Sequence, residues 1–185
     1  MGEIHQFPDI LLKSIFVGFG VIIPILKLTK SSDLKIIAIK DAFVLTAVQV
    51  LRVAGLLFFI LWCIESYINY MPAFGNNPKE SFLYDYYFWL HWYSPLMYFV
   101  ISQLFWIKKL YLKKAALITL SLFLLILPSQ FLLGILVTNA RDYLPSSWTM
   151  YTINPLLHFV LNIIVFIFII IPVMLLTGKL KKLSQ

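Results

Sequence analysis

The chain has 185 residues, 61% of them hydrophobic and 12% charged, with a formal net charge of +7. Water-soluble domains carry about 45–50% apolar and about 25% charged residues, so a soluble domain is excluded as the main reading. The lysines gather at the ends of apolar blocks, which makes the positive charge a membrane-topology signal and leaves no nucleic-acid partner expected.

Spanning about 30 Å of hydrocarbon takes roughly 20 apolar residues in a helix. Backbone groups in lipid must bond within their own segment, so such blocks are expected to be helical. The opening residues, Met1 to Asp9, include Glu3 and Asp9 and lack the basic start of a secretory signal, so no cleaved leader is expected. The first apolar block gives a span over about 10–27. It is interrupted by Lys13 and Ser14, contains Gly18 and Gly20 as sites of close helix approach, and is short enough to be re-entrant or surface-lying instead. Lys27 to Lys40 holds four lysines and reads as a basic connector, a short amphipathic helix on anionic headgroups.

A second span covers about 41–65, with Gln49 and Arg52 inside it, and the turn-rich stretch from Ser66 to Ser81 follows. The third span, about 84–107, is the most distinctive. From Phe82 to Trp106, 12 of 25 residues are aromatic, an amphipathic collar suited to the water–hydrocarbon boundary, and Lys108-Lys109 closes it. A lysine-rich link to Lys114 leads into a fourth span over about 115–137, where Pro128-Ser129-Gln130 marks a kink. The polar stretch from Thr138 to Asn154 leads to a fifth span over about 155–176, which Pro155 opens as a first-turn residue.

With the amino terminus outside, eleven of the fifteen cations fall on inner segments and six of the eight acids on outer ones. The expected fold is therefore all-α: one transmembrane domain over residues 1–185, a polytopic helix bundle of five spans with the amino terminus outside and the carboxyl terminus cytoplasmic. Four spans remain if the first block does not cross.

Polar residues in lipid are costly and mark candidate function. Arg52 has two readings. With the span starting at Asp41 it lies near the midplane and needs a carbonyl, a carboxylate of another subunit or an anionic ligand. With the span over about 47–67 it lies a turn or two from the inner surface and snorkels. Gln49, Asn162, Gln103 and Gln130 are further candidates for pairing between helices or with partners. His91, Ser94, Tyr98 and Ser102 share one face of the third helix, and Asn154, His158 and Asn162 one face of the fifth. His91 and His158 fall at similar depth, a pattern that suits a haem b iron held from both sides, or a quinone. The commoner role for such histidines is structural hydrogen bonding. Three histidines exclude a two-haem bis-histidine cytochrome, and no metal site is assigned.

No catalytic motif is present, so an enzyme is not the expected reading. The expected function is an accessory or structural subunit of a larger integral membrane complex, respiratory or transport, with the bilayer and other membrane subunits as partners. Two alternatives stand beside it: a redox membrane subunit in electron transport using His91 and His158, and a small transporter using Arg52. The expected location is a bacterial plasma (inner) membrane.

Overall fold

The computed structural model describes residues 6–70, 81–126 and 155–178. They form six helices and, among the described residues, no strand: α1 (Gln6–Leu28), α2 (Leu34–Tyr70), α3 (Ser81–Leu104), α4 (Lys108–Leu112), α5 (Lys114–Ile126) and α6 (Pro155–Leu176). Among the described residues, three stretches are long and apolar enough to cross a membrane: Ile10–Leu28, Leu34–Ile68 and Phe159–Leu176. They mark a membrane-embedded protein. The expected kink at Pro128 to Gln130, the polar stretch from Thr138 to Asn154 and the end of the expected fourth span lie outside the described residues.

Helix α1 is the axis of the bundle. Half of its apolar stretch is buried, 50% against 17% for that of α6. It packs chiefly on α6, α5 and α2. Its rings also reach α3: Phe16 stacks on Tyr98 at 4.3 Å and Phe19 meets Phe105 edge-on at 5.2 Å. The surface-lying alternative for this block does not fit, because a surface helix would not bury Phe16, Phe19 and Ile23 completely. Small residues make the close packing possible. A Cβ at Gly18 would overlap the Cβ of Phe166 on α6, and one at Gly55 on α2 would overlap the Ser102 hydroxyl on α3.

Contact order gives the relative helix directions. Phe58, Phe59 and Trp62 of α2 meet Tyr98, Phe99 and Trp92 of α3, so these two helices run antiparallel. Ser14 and Gly18 meet Asn162 and Phe166 in the same order, so α1 and α6 run parallel. Phe16 packs on Phe58 while Lys27 pairs with Asp41, so α1 and α2 are antiparallel. The α1–α2 turn and the link after α3 consequently sit at the same end of the bundle.

The basic connector is not a separate surface helix. Its second half, from Leu34, forms the opening turns of α2, which is continuous for 37 residues. Asp33 explains the start, since its side-chain oxygen accepts the Lys35 backbone N–H at 2.8 Å, satisfying a donor that has no partner within the helix. Lys27 then pairs with Asp41 at 2.7 Å, and Lys40 donates to the Thr29 carbonyl at 3.2 Å and hydroxyl at 3.0 Å, folding α2 back along α1. Asp33→Ala is expected to destabilise this first turn by about 1 kcal/mol, read as faster amide exchange at Lys35 to Ile37 with exchange at Val48 to Leu51 unchanged. Uniform acceleration along α2 would show that the cap is not what starts it.

Helix α3 ends at Leu104 rather than 107. The N–H groups of Phe105, Trp106 and Ile107 bond back three residues, to Ser102, Gln103 and Leu104, tightening the last turn. The link that follows contains the single-turn helix α4.

Three buried hydroxyls are satisfied within their own helices, as a water-free interior favours. Thr46, Ser102 and Ser121 each donate to a carbonyl of their own helix, at 2.8, 2.8 and 2.7 Å.

Candidate functional site

Three neighbouring side chains stand out at the end of the bundle that carries the lysines. Arg52 projects from α2 toward the α3–α4 junction. Its guanidinium carbon lies 5.1 Å from the centre of the Trp106 ring and 4.9 Å from that of Tyr111, so two aromatic faces cover one cation. Gln103 orders the arrangement. Its Oε1 accepts the Trp106 indole N–H at 2.8 Å, while its Nε2 lies 3.5 Å from the Arg52 carbonyl and 3.3 Å from the Ser102 hydroxyl. Arg52 itself is half-buried. Its Nε is shielded from solvent and has no hydrogen-bond acceptor, and no Asp or Glu among the described residues lies within ion-pair distance of it.

This placement fixes the neighbours of Arg52 along the bundle. Its ring partners bracket Lys108 and Lys109 in sequence, and lysines in a link between helices belong at the membrane surface. Arg52 therefore lies level with the Lys108–Lys109 link, while Phe105 beside that link meets Phe19, midway along the apolar stretch of α1. The sequence flagged Arg52 and Gln103 but not Trp106 or Tyr111. The available signal was an aromatic residue on each side of a lysine pair, an interfacial pattern; what it lacked was the register between α2 and α3.

Asn162 has a defined partner. Its Oδ1 lies 2.8 Å from the hydroxyl of fully buried Ser14, which is also 2.7 Å from the Ile10 carbonyl. One hydroxyl proton serves only one acceptor, so an Asn162 amide turned over would donate to Ser14 while Ser14 donates to Ile10. Either way, Asn162 joins α6 to α1. Gln49 lies on the exposed side of α2. Gln130 is outside the described residues. His91 and His158 occupy positions on α3 and α6, and their side chains are likewise outside the described set. Both helices pack on α1. From the serine–tyrosine stripe of α3, Tyr98 and Ser102 are buried in the bundle. Cys63 is a free, half-buried thiol. Among the described residues no three His, Cys, Asp or Glu side chains converge.

No protein-family model matches the chain, and no curated protein or solved structure is similar to it.

Proposed function

We propose that this chain is a non-catalytic subunit of a larger integral membrane assembly, built as five spans with the amino terminus outside and the carboxyl terminus cytoplasmic, in a bacterial plasma membrane. The observation that carries the structural role is the filled centre of the bundle. Phe16 stacks on Tyr98, Phe58 meets both edge-on, and Phe19 and Phe105 close the layer beside them. A solute path would need polar lining and space at this axis, whereas close-packed rings make a rigid scaffold. That weighs against the small-transporter reading. Arg52, which that reading needs inside a path, is instead covered by two rings at the α3–α4 junction. The orientation is supported by the helix directions, which bring the four lysines of the α1–α2 region and the four of the α3–α5 link to one end.

Reporter fusions at residues 30, 75, 111 and 145 are expected to read inside, outside, inside and outside. An external signal at residue 111 would overturn the orientation. Mild-detergent purification from native membranes, followed by mass spectrometry and a visible spectrum, tests the role. Co-purifying membrane proteins are expected. A lone 21.5 kDa species removes the subunit reading. A Soret band would instead assign the chain to electron transport through His91 and His158.

A further inference from the structure

We propose that Arg52, Trp106 and Tyr111 form a binding site for the phosphate of an anionic phospholipid in the leaflet on the lysine side of the bundle. The proposal rests on the chain being membrane-embedded and not on its being a subunit, since a lipid site serves a lone bundle equally well.

Four observations converge on it. First, the Arg52 guanidinium is fixed rather than free. Two rings hold it by their faces, and Gln103 pins one of those rings through the indole N–H. Faces so occupied leave the edge donors of the planar cation for an anion, and a guanidinium edge matches two phosphate oxygens at once. Second, the charge is uncompensated. Asp33 and Asp41 are committed elsewhere, to the α2 cap and to Lys27, and the Arg52 Nε is shielded from water without an acceptor. An anion at the remaining edge of the guanidinium would supply the countercharge that no Asp or Glu among the described residues gives it.

Third, the surroundings are cationic and apolar together. Lys108, Lys109, Lys113 and Lys114 are all exposed along the link, and Ile107 and Leu112 are 50% and 62% exposed beside them. Lysines next to bare aliphatic side chains suit a molecule with an anionic head and acyl chains; a soluble anion gains nothing from the aliphatic groups. Fourth, Trp106 is 57% exposed although it is hydrogen-bonded and stacked. An indole held in that posture at the edge of a bundle is suited to the interfacial layer, where phosphates lie.

The test uses the purified full-length protein in mild detergent and native mass spectrometry, with phosphatidylglycerol and phosphatidylcholine of equal chain length as probes. Phosphatidylglycerol is expected to be retained roughly tenfold better than phosphatidylcholine. Arg52→Gln is expected to remove roughly fivefold of that preference, the scale of one basic residue near a membrane surface, without altering phosphatidylcholine retention. Lys30→Gln, which removes one charge at the α1–α2 turn and leaves Arg52, Trp106 and Tyr111 intact, is expected to leave the preference in place. Trp106→Leu, at a solvent-facing position, supplies a second variant if Arg52→Gln does not yield folded protein, and is expected to weaken the preference in the same direction. Equal retention of the two lipids overturns the proposal. So does an unchanged preference in a folded Arg52→Gln protein. Displacement of phosphatidylglycerol by inorganic phosphate would assign the site to a soluble anion and overturn the lipid assignment. A preference that appears only when a co-purifying protein is stripped away would give Arg52 to a partner carboxylate and overturn it too.

Discussion

Gly18→Val is expected to separate α1 from α6 and to cost the bundle about 3 kcal/mol or more, at or beyond the upper end of overpacking penalties. The reason is geometric. The added Cβ would fall on the Cβ of Phe166, which is fully buried. A flexible side-chain tip can rotate away, but a Cβ is fixed to the backbone, so the helices themselves must part. Trimming Phe166 to leucine therefore gives no rescue, whereas Phe166→Gly restores the space. A cross-link reports the separation directly. With Cys63 replaced, cysteines at Ser14 and Asn162, whose polar atoms lie 2.8 Å apart, are expected to form a disulfide readily in the parent and poorly with Gly18→Val. Equal cross-linking in both, with equal thermal midpoints in detergent, would show that α1 and α6 do not pack as described.

Phe16→Ala is expected to lower stability by about 2–3 kcal/mol, below the roughly 3–5 kcal/mol of a buried phenylalanine in a soluble core. Phe16 has no exposed surface and contacts two rings, stacked on Tyr98 and edge-on to Phe58. In a bilayer the unfolded reference leaves the ring in lipid, so the hydrophobic transfer from water falls away and the lost packing remains. The change should appear as a fall of roughly 4–12 °C in the thermal midpoint. Ile25→Ala on the same helix, at a position 54% exposed, serves as the comparison and should shift it little. Equal shifts for the two would mean that α1 is not the axis of the bundle.

Both expectations concern α1, the segment whose role was least legible from the residues. Its composition permits a short span, a re-entrant helix or a surface helix, because the block is brief and broken by Lys13 and Ser14. Ser14 reads as a defect in an apolar run, yet it is the contact that ties α1 to Asn162. Gly18 is visible as a small residue; that it faces Phe166 is not, since the partner lies far along the chain. The α1–α2 region shows the opposite limit. Asp33 before a lysine-bearing apolar run is a recognisable helix start, but the spacing of lysines there suggested a separate surface helix. Tertiary contacts decided otherwise, because Lys27–Asp41 and Lys40–Thr29 hold α2 alongside α1 from its opening turns.

Arg52 divides in the same way. Its presence in an apolar block marked it for attention, and an inner-surface position was one of two readings. Only the antiparallel register of α2 and α3 brings Trp106 and Tyr111 over its guanidinium and sets its level beside Lys108.

Composition and block length set the medium and the element type: blocks this apolar, capped by lysine, must be helices in or at a bilayer, because lipid offers no partner to an open backbone. Tertiary structure alone decided which helix is central, which faces meet and where Arg52 lies. Those outcomes depend on contacts between residues far apart in the chain, and local periodicity carries no information about register between helices that share one apolar solvent.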